Sequence, residues 1–298
     1  MKGPLFSTIS RSNYMGRSLF TKLWNASPKT VAERLFPGFF YARRPLNLNI
    51  GTVLELEEIN RLKKLPRYTK TSAQFMGKRL EIVDADSFLS MCDEIFVRNN
   101  YEFESSRKNP LIIDCGANIG MSILFFKKLY PDCKIIAFEP DWGVFKALQS
   151  NIESFGLQHV ELHNKAVWSS ETELQFLAEG SWGGRIPKPG DGGNMVTVKT
   201  IRLKDYLKQN VDFLKIDVEG AETEILRDCA GELKSVANLF LEYHSYSKEK
   251  QSLQEILTIL QDAGFRYHIK EAAIRKTPYI EKSLPGMDSQ LDIFAFRP

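Results

Sequence analysis

Three acidic residues in this sequence each follow an apolar run. Asp114, Glu139 and Asp217 come after segments rich in Ile, Leu and Phe, the composition of strands buried on both faces of a parallel sheet. The carboxyl ends of parallel strands meet at one edge of the sheet, where ligands bind in open α/β folds. We therefore expect these three carboxylates to surround one ligand that carries positive charge and hydroxyl groups.

The first acid opens the segment DCGANIG, residues 114–120. Gly116 allows a tight turn and a close backbone approach, and a helix is expected to begin near Gly120. The segment lacks the full GxGxxG set of glycines that dinucleotide pyrophosphate contacts usually need. An acid beside such a loop suits a cationic ligand, for example a sulfonium with an α-amino group. An ordinary strand–helix turn is the alternative.

The second acid lies in AFEPD, residues 137–141. An acid at the end of the second strand accepts hydrogen bonds from two vicinal ribose hydroxyls, and we favour this role for Glu139. Pro140 is then expected to begin the next helix with its fixed φ. The alternative is an acid that only stabilises the N-terminus of that helix.

The third acid belongs to KIDVEGAE, residues 215–222, and a further strand ends in LEYH, residues 241–244. Alternation along a strand places Lys215 and Asp217 on one face, and likewise Glu242 and His244. The acids of KIDVEGAE need a cationic ligand, a metal or basic neighbours, unless they merely begin a helix. His244 is a natural general base, although a lone histidine is often structural.

These segments resemble the FkbM family of S-adenosylmethionine-dependent methyltransferases. The resemblance runs over about residues 75–298 and includes DCGANIG, FEPD, NKAVW, TIRLKDYL, KIDVEGAE and LEYH in the family's order. It implies an α/β, Rossmann-like class I methyltransferase fold, with a seven-stranded, mostly parallel sheet, an antiparallel last strand and helices on both faces. It also implies methyl transfer to a hydroxyl of a sugar, glycan or natural product.

The resemblance assigns site residues by motif. It implies that the methionine part of S-adenosylmethionine contacts Asp114, Gly116, Ala117, Asn118 and Gly120, and that Glu139 holds the ribose. Asn164, Lys165 and Ala166 would border the adenine, and Trp168 either packs there or belongs to the core. Asp217 would line the methyl-donor side, and Tyr101 would close over the cofactor.

An alcohol acceptor must lose its proton at or near attack. The predicted catalytic residues are His244 and then Glu219 as bases, with Lys215 orienting or polarising the hydroxyl. A divalent cation held by Asp217 and Glu242 is a further solution, because carboxylates suit Mg²⁺.

Apolar periodicity predicts the elements that position these residues. Helices are expected over 52–65, from Ser87, over 119–130, after Pro140, and over 222–229 and 247–262. Strands are expected over 79–83, 111–114, 134–139, from 160 to about 164–167, and over 173–176, 196–200, 212–217, 238–244, 265–270 and 291–296. The order from residue 111 is β-α-β-α-β, which indicates a parallel sheet with helical crossovers.

The Gly-rich segment 179–194 interrupts this alternation. Its Trp182, Arg185 and Lys188 suit a lid over a sugar ring or an anionic substituent, since aromatic faces pack on the apolar side of sugars. A flexible surface hairpin is the alternative.

Composition and charge bound the remaining alternatives. The 298 residues carry 40 Lys+Arg and 37 Asp+Glu, with 43% hydrophobic residues, which excludes a chain that is disordered throughout. Residues 1–70 contain thirteen Lys+Arg against four Asp+Glu and predict a basic extension before a methyltransferase domain over 71–298. The extension is expected to be partly helical or disordered, and it suits contact with an anionic membrane surface.

The expected partner is a small-molecule or glycan acceptor, without nucleic acid, because residues 71–298 are net acidic and lack a base-flipping motif. Four scattered cysteines argue against a zinc site or a disulfide framework, and no signal peptide is evident, so we expect a cytoplasmic protein. An NAD-dependent oxidoreductase on a similar sheet, or a non-catalytic binding module, stays open as an alternative.

Overall fold

The computed structural model describes residues 50–51, 53–181, 183–188, 190–273, 277–280 and 286–297. The predictions for residues 1–49 and for Trp182 lie outside these described residues. Within them, no helix is both long enough and apolar enough to cross a membrane.

The described residues form twelve strands and six α-helices. The strands are β1 (Thr71–Phe75), β2 (Lys78–Ile82), β3 (Leu111–Cys115), β4 (Lys134–Phe138), β5 (Val160–His163), β6 (Ala166–Trp168), β7 (Glu173–Leu177), β8 (Met195–Arg202), β9 (Val211–Ile216), β10 (Val236–Tyr246), β11 (Arg266–Glu271) and β12 (Met287–Phe296). The helices are α1 (Leu56–Leu62), α2 (Ala85–Met91), α3 (Met121–Leu129), α4 (Trp142–Phe155), α5 (Glu222–Cys229) and α6 (Leu253–Asp262). A π-helix (Cys92–Val97) continues α2, and short 3₁₀ turns cover Leu203–Lys208 and Leu233–Ser235.

Seven strands form the main sheet in the order β11-β12-β10-β9-β3-β4-β5. The pairs from β10 through β5 are parallel, and β12 runs antiparallel to both β10 and β11. This is the Rossmann-like class I methyltransferase topology, so the predicted fold class is confirmed. The strands that carry the three acids, β3, β4 and β9, are neighbours.

Side chains of successive strand residues point to opposite faces, and both faces are covered. Ile112 joins the core under α3 and α4, whereas the next residue, Ile113, joins the core under α5 and α6. All six residues of β9 are buried, as a central parallel strand requires. The four cysteines are free and buried.

The described residues between 50 and 110 form a cap that packs on the core under α3 and α4. The predicted strand near 79–83 is one arm of a hairpin, β1–β2, joined by Met76 and Gly77, which both have positive φ. Asp84 rather than Ser87 is the N-cap of α2, because its carboxylate accepts the Ser87 N–H at 2.9 Å. The Asn151 side chain of α4 joins the cap to the sheet domain by bonding both backbone groups of Glu81.

Several other boundaries differ from the prediction. Asp141, not Pro140, caps α4, and its carboxylate accepts the N–H groups of Gly143 and Val144. The third core strand ends at His163, and the residues after it form β6 of a separate sheet with the order β6-β8-β7. The predicted β7–β8 pair is confirmed as antiparallel, and it carries the Gly-rich loop. Helix α6 begins at Leu253 rather than at residue 247.

Candidate active site

A cavity of about 400 Å³ lies at the carboxyl edge of β3, β4, β9 and β10. The loops after β3, β4 and β9, together with Glu242 of β10, line one side of it, while α2, the π-helix and the β7–β8 loop contribute its other walls. Among the predicted site residues, the lining includes Gly116, Ala117, Asn118, Glu139, Ala166, Lys215, Asp217 and Glu219. The topology therefore brings most of the predicted residues into one cavity.

The turn after β3 requires glycine at two positions. Gly116 has a φ of 91°, and a Cβ atom there would lie 1.9 Å from the backbone oxygen of Asp217. Gly120 has a φ of 93°, and a Cβ atom there would lie 2.8 Å from Leu148. Gly116 thus keeps the turn against the end of β9, whereas Gly120 sits at the N-cap of α3 and allows the helix to approach α4.

Lys215 lies beneath this turn and neutralises the acids around it. Its Nζ donates to the Gly116 carbonyl at 2.8 Å and to Asp217 at 3.2 Å, and lies 3.4 Å from Asp114 Oδ1. Burial alone would lower the pKa of Lys215, but the carboxylates of Asp217 and Asp114 outweigh it and raise the pKa above its ordinary value. Lys215 is therefore a permanent cation rather than a proton acceptor.

Asp114 is fully buried at the end of β3. The Ser122 hydroxyl donates to its Oδ2, whereas its Oδ1 forms no hydrogen bond. Tyr101 is also buried, and its ring lies 5.9 Å from Lys215 Nζ on the cavity wall. Tyr101 therefore lines the cavity, whereas Asp114 lies behind the lining, and their predicted contacts with the cofactor stay predictions.

Glu139 follows β4 and faces the same cavity. Its carboxylate accepts the N–H groups of Asn118 at 3.0 Å and Asp141 at 2.9 Å. Burial raises the pKa of Glu139 to about 8, with the Asp141 carboxylate adding to the shift and the two N–H donors opposing it. Glu139, the residue predicted to bind the ribose, is therefore held in place by the backbone N–H groups of Asn118 and Asp141.

The residues predicted to border adenine take two different positions. Lys165 and Ala166 line the cavity. Asn164 does not; its amide donates to the carbonyls of Glu139 and Pro140 at 2.9 and 3.0 Å, and so fixes the loop after β4. Trp168 packs in the core under α5 and α6.

Glu219 is the predicted base that faces the cavity. It has a φ of 55°, an uncommon backbone conformation for a residue with a side chain, and its side chain is 15% exposed. Burial raises the pKa of Glu219 to about 7; the His244 imidazole opposes the shift, and the carboxylates of Asp217 and Glu222 increase it.

His244, the first predicted base, lies behind Glu219 with a side chain that is fully shielded from solvent. Its Nδ1 is 2.9 Å from Glu222 Oε1, and its Nε2 is 3.6 Å from Glu219 Oε2. Burial would lower the pKa of His244, but the carboxylates of Glu219 and Glu222 raise it well above its ordinary value. The two carboxylates thus favour the charged form of the imidazole, which then acts as a buried counter-charge to them.

The predicted cation ligands, Asp217 and Glu242, come together with His244, and the three ligand atoms lie within 4.8 Å of one another. Burial, together with the Asp217 and Glu94 carboxylates, raises the pKa of Glu242 well above its ordinary value. A divalent cation at these residues stays a prediction.

Sequence reasoning missed three residues around this cluster. Glu94 enters the cavity from the π-helix, and the Gln290 amide of β12 contacts Glu242. Tyr246 follows His244 on β10 and donates its hydroxyl to Glu219. The spacing of Glu242, His244 and Tyr246 at alternate positions of one strand was a signal for the last of these.

Hydrogen bonds join the β7–β8 loop to both the cap and the site. The Tyr68 hydroxyl donates to Glu179 at 2.5 Å, and the hydroxyls of Ser87 and Ser181 are 2.6 Å apart. The Asn118 amide also donates to the Ser181 carbonyl at 3.0 Å. Arg185 and Lys188, predicted to cover an acceptor, pack on the Tyr246 ring at 5.7 and 5.0 Å from its centroid, and the predicted lid stays a prediction.

Comparison with known proteins decides the family. Residues 114–267, just over half of the chain, match the Methyltransferase FkbM domain. This chain belongs to the FkbM methyltransferase family. The match covers the elements from the end of β3 to the start of β11, and therefore includes every predicted catalytic residue.

Curated relatives resemble the chain at moderate identity. Methyltransferase 1 of Beauveria bassiana is 30% identical over 45% of this chain and 64% of its own length, and methyltransferase sdnD of Sordaria araneosa is 29% identical over 58% and 80%. The 31-O-demethyl-FK506 methyltransferase FkbM of Streptomyces tacrolimicus is 24% identical over 58% and 78%. The chain thus spans less than two thirds of the first of these relatives.

Proposed function

We propose that the protein is an S-adenosylmethionine-dependent O-methyltransferase acting on a hydroxyl of a sugar, glycan or natural product. The observation that carries the proposal is the shared cavity of the Gly116 turn, the Glu139 carboxyl and Glu219. The first two match the needs of the cofactor, and Glu219 matches the need of an alcohol for a base.

The residues around the Gly116 turn fit S-adenosylmethionine. A Cβ at Gly116 would overlap the Asp217 backbone, so the turn packs tightly on the end of β9, and Gly116, Ala117 and Asn118 of the turn line the cavity beside Glu139. Asp114, Asn118 and Asp217 would face the methionine part and Glu139 the ribose, with Lys165 and Ala166 beside the adenine. When bound, S-adenosylmethionine supplies a methyl group activated by the sulfonium.

The chain's own contribution on the acceptor side is to align a hydroxyl and remove its proton. Alignment of reacting groups contributes on the order of 7–11 kcal/mol in well-oriented reactions. Glu219 takes the proton, because it lines the cavity and its pKa of about 7 matches neutral conditions. His244 balances the charge of Glu219 from behind, and Lys215 holds the Gly116 turn and Asp217 in place.

The name of the Streptomyces tacrolimicus relative supports oxygen as the methylated atom, since that protein is named for methylation at a 31-O position. The incomplete glycine set at 116–120 disfavours the oxidoreductase alternative.

Calorimetric titration of the purified chain with S-adenosylmethionine and, separately, with NADH tests the proposal. We expect binding of S-adenosylmethionine alone, with affinity reduced at least about tenfold in Glu139→Ala, because an interaction with two ribose hydroxyls is worth at least 1.4 kcal/mol. Glu153→Gln removes an exposed acid of α4 and is the matched control, with unchanged affinity.

Heat with NADH and none with S-adenosylmethionine would overturn the proposal in favour of an oxidoreductase. The opposite outcome, binding of S-adenosylmethionine, would justify a screen for the acceptor with sugars and other polyhydroxylated compounds. Release of S-adenosylhomocysteine would be the readout.

A further inference from the structure

The carboxyl group of Glu139 is held by two backbone N–H groups, one on each oxygen. Asn118 donates to Oε2 at 3.0 Å, and Asp141 donates to Oε1 at 2.9 Å. Because both oxygens are bonded, the direction in which the carboxyl group faces the cavity depends on where the two donors lie. The residues that fix Asn118 and Asp141 therefore set the orientation of Glu139.

A bridging segment of the β7–β8 loop, residues 179–181, contacts both donors. The Gly180 N–H donates to Asp141 Oδ2 at 3.2 Å, and the Ser181 carbonyl accepts the Asn118 amide at 3.0 Å. Asn118 has a φ of 48°, which is uncommon for a residue with a side chain, so its backbone conformation depends on such side-chain contacts. Two successive loop residues thus join the two donors.

The bridging segment is attached to the cap at both of its ends. The Tyr68 hydroxyl donates to Glu179 at 2.5 Å, and the hydroxyls of Ser87 and Ser181 are 2.6 Å apart. The Ser87 hydroxyl donates its one proton to Asp84 at 2.9 Å, so the Ser181 hydroxyl is the donor to Ser87. The cap thereby determines where the bridging segment lies.

This series of hydrogen bonds, from the cap to Glu139, lies inside the protein. Five of its residues are buried, namely Asp84, Ser87, Asp141, Ser181 and Glu139. A buried group that loses its hydrogen-bond partner has little water to replace it, so neighbouring groups shift to restore the contact. Removal of one hydroxyl at the cap end is therefore expected to displace the carboxyl group at the other end.

We propose that Ser181 is a positioning residue for Glu139 and that the cap, through Ser87 and Ser181, controls recognition of the ribose of the cofactor. The inference rests on the proposed function, in which Glu139 binds the ribose hydroxyls. The Gly116 turn is fixed by its own contacts to the end of β9, so the bridging segment affects chiefly the orientation of Glu139. Ser181 lines the cavity, whereas Ser87 does not, so Ser87 affects a bound ligand only through its neighbours.

The test is calorimetric titration of the full chain with S-adenosylhomocysteine and with its 2′-deoxy analogue. The ratio of the two dissociation constants measures how well Glu139 engages the 2′-hydroxyl, whereas a general loss of stability weakens the binding of both ligands alike. At about pH 9, above the Glu139 pKa of about 8, we expect the analogue to bind the wild type at least about tenfold more weakly, because a hydrogen bond to a charged group is lost. Glu139→Ala should make the two constants nearly equal.

Ser181→Ala should reduce this ratio to about threefold or less, chiefly by weakening the binding of S-adenosylhomocysteine. Ser87→Ala should reduce it similarly, and should add nothing in the Ser181→Ala background, because both changes break the same contact. Ser235→Ala is the matched control. The Ser235 hydroxyl donates to the Leu207 carbonyl at 2.8 Å just before β10, at the opposite edge of the main sheet, and its removal should leave the ratio at the wild-type value.

A wild-type ratio in both Ser181→Ala and Ser87→Ala, with the ratio lost in Glu139→Ala, would overturn the proposal and leave the proposed function standing. A fall in affinity for both ligands by the same factor would show that the serine hydroxyls only stabilise the loop, and would overturn the proposal as well. Equal affinities of the wild type for the two ligands would refute the ribose role of Glu139 and the inference with it. If the wild type binds neither ligand, the proposed function itself fails, and the inference fails with it.

Discussion

The two halves of the cavity are built by different means. The proposed cofactor half, at the ends of β3 and β4, consists of backbone groups and acids that belong to two short segments, 114–120 and 137–141. The proposed acceptor half, beside the end of β9 and Glu242 of β10, consists of side chains from the π-helix, the loop after β9, β10, β12 and the β7–β8 loop. The first half depends on local geometry, and the second depends on tertiary contacts.

Because of this difference, we expect cofactor binding and acceptor specificity to depend on different residues. A turn fixed by Gly116 and Lys215 presents the same backbone atoms whatever acceptor enters the other half. The acceptor half instead depends on side chains that can be exchanged one at a time.

Glu219→Gln should separate the halves most clearly. We expect kcat to fall by roughly 10²–10⁴-fold with a responsive acceptor, because the amide cannot take the proton. The dissociation constant for S-adenosylmethionine should stay within about threefold of wild type, since a contact of the acceptor half contributes little to cofactor binding. Turnover assays and calorimetry on the same sample measure both quantities. A large loss of cofactor affinity would contradict the division.

Gly116→Ala should have the opposite pattern. A Cβ atom 1.9 Å from the Asp217 carbonyl oxygen, at a φ of 91°, must displace the turn from β9. We expect the affinity for S-adenosylmethionine to fall at least about 100-fold and the free energy of unfolding to fall by about 2–4 kcal/mol. Calorimetry and urea unfolding check these values. Gly192→Ala, which places a Cβ in open space on the β7–β8 loop, is the control expected to bind normally.

The pH dependence of cofactor binding should report on Glu139. Its pKa of about 8 means that the carboxyl is largely protonated below that pH, and only the carboxylate accepts a hydrogen bond from each ribose hydroxyl. The association constant for S-adenosylmethionine should therefore decline as pH falls below 8, by up to tenfold per unit, and level off above it. In Glu139→Gln this decline of the association constant below pH 8 should vanish. If the wild type and Glu139→Gln give parallel pH profiles, the titrating group is a residue other than Glu139.

The core of the fold was predictable because its signals are local. Short apolar runs alternating with amphipathic segments from residue 111 onward specify parallel strands with helical crossovers, and the acids that end β3 and β9 identify the ligand edge. Of the β1–β2 hairpin the sequence predicted only β2. Its turn uses Met76 at positive φ, where a sequence would usually show Gly or Asn, and so gave no signal for β1. Helix starts were displaced by one to three residues where Asp84 and Asp141 serve as caps.

The acceptor half was less predictable because its residues meet through tertiary contacts. Glu94 reaches the cavity from a π-helical turn, which shifts side chains away from the spacing of an α-helix. The burial of His244 depends on Glu222 beside it and on Gln290, its partner in the β10–β12 register. Residue type suggested a base at His244, while placement makes Glu219 the residue that faces the cavity.

The separate three-stranded sheet lets the β7–β8 loop change in length without disturbing the main sheet. The loop that joins β7 to β8 returns to its own small sheet, so a change in its length shifts no register among the seven strands that carry the cofactor half. Each doubling of loop length costs only about 0.6 kcal/mol of closure entropy. A change in the length of this loop can therefore reshape one wall of the cavity at low thermodynamic cost, while the seven-stranded sheet keeps its register.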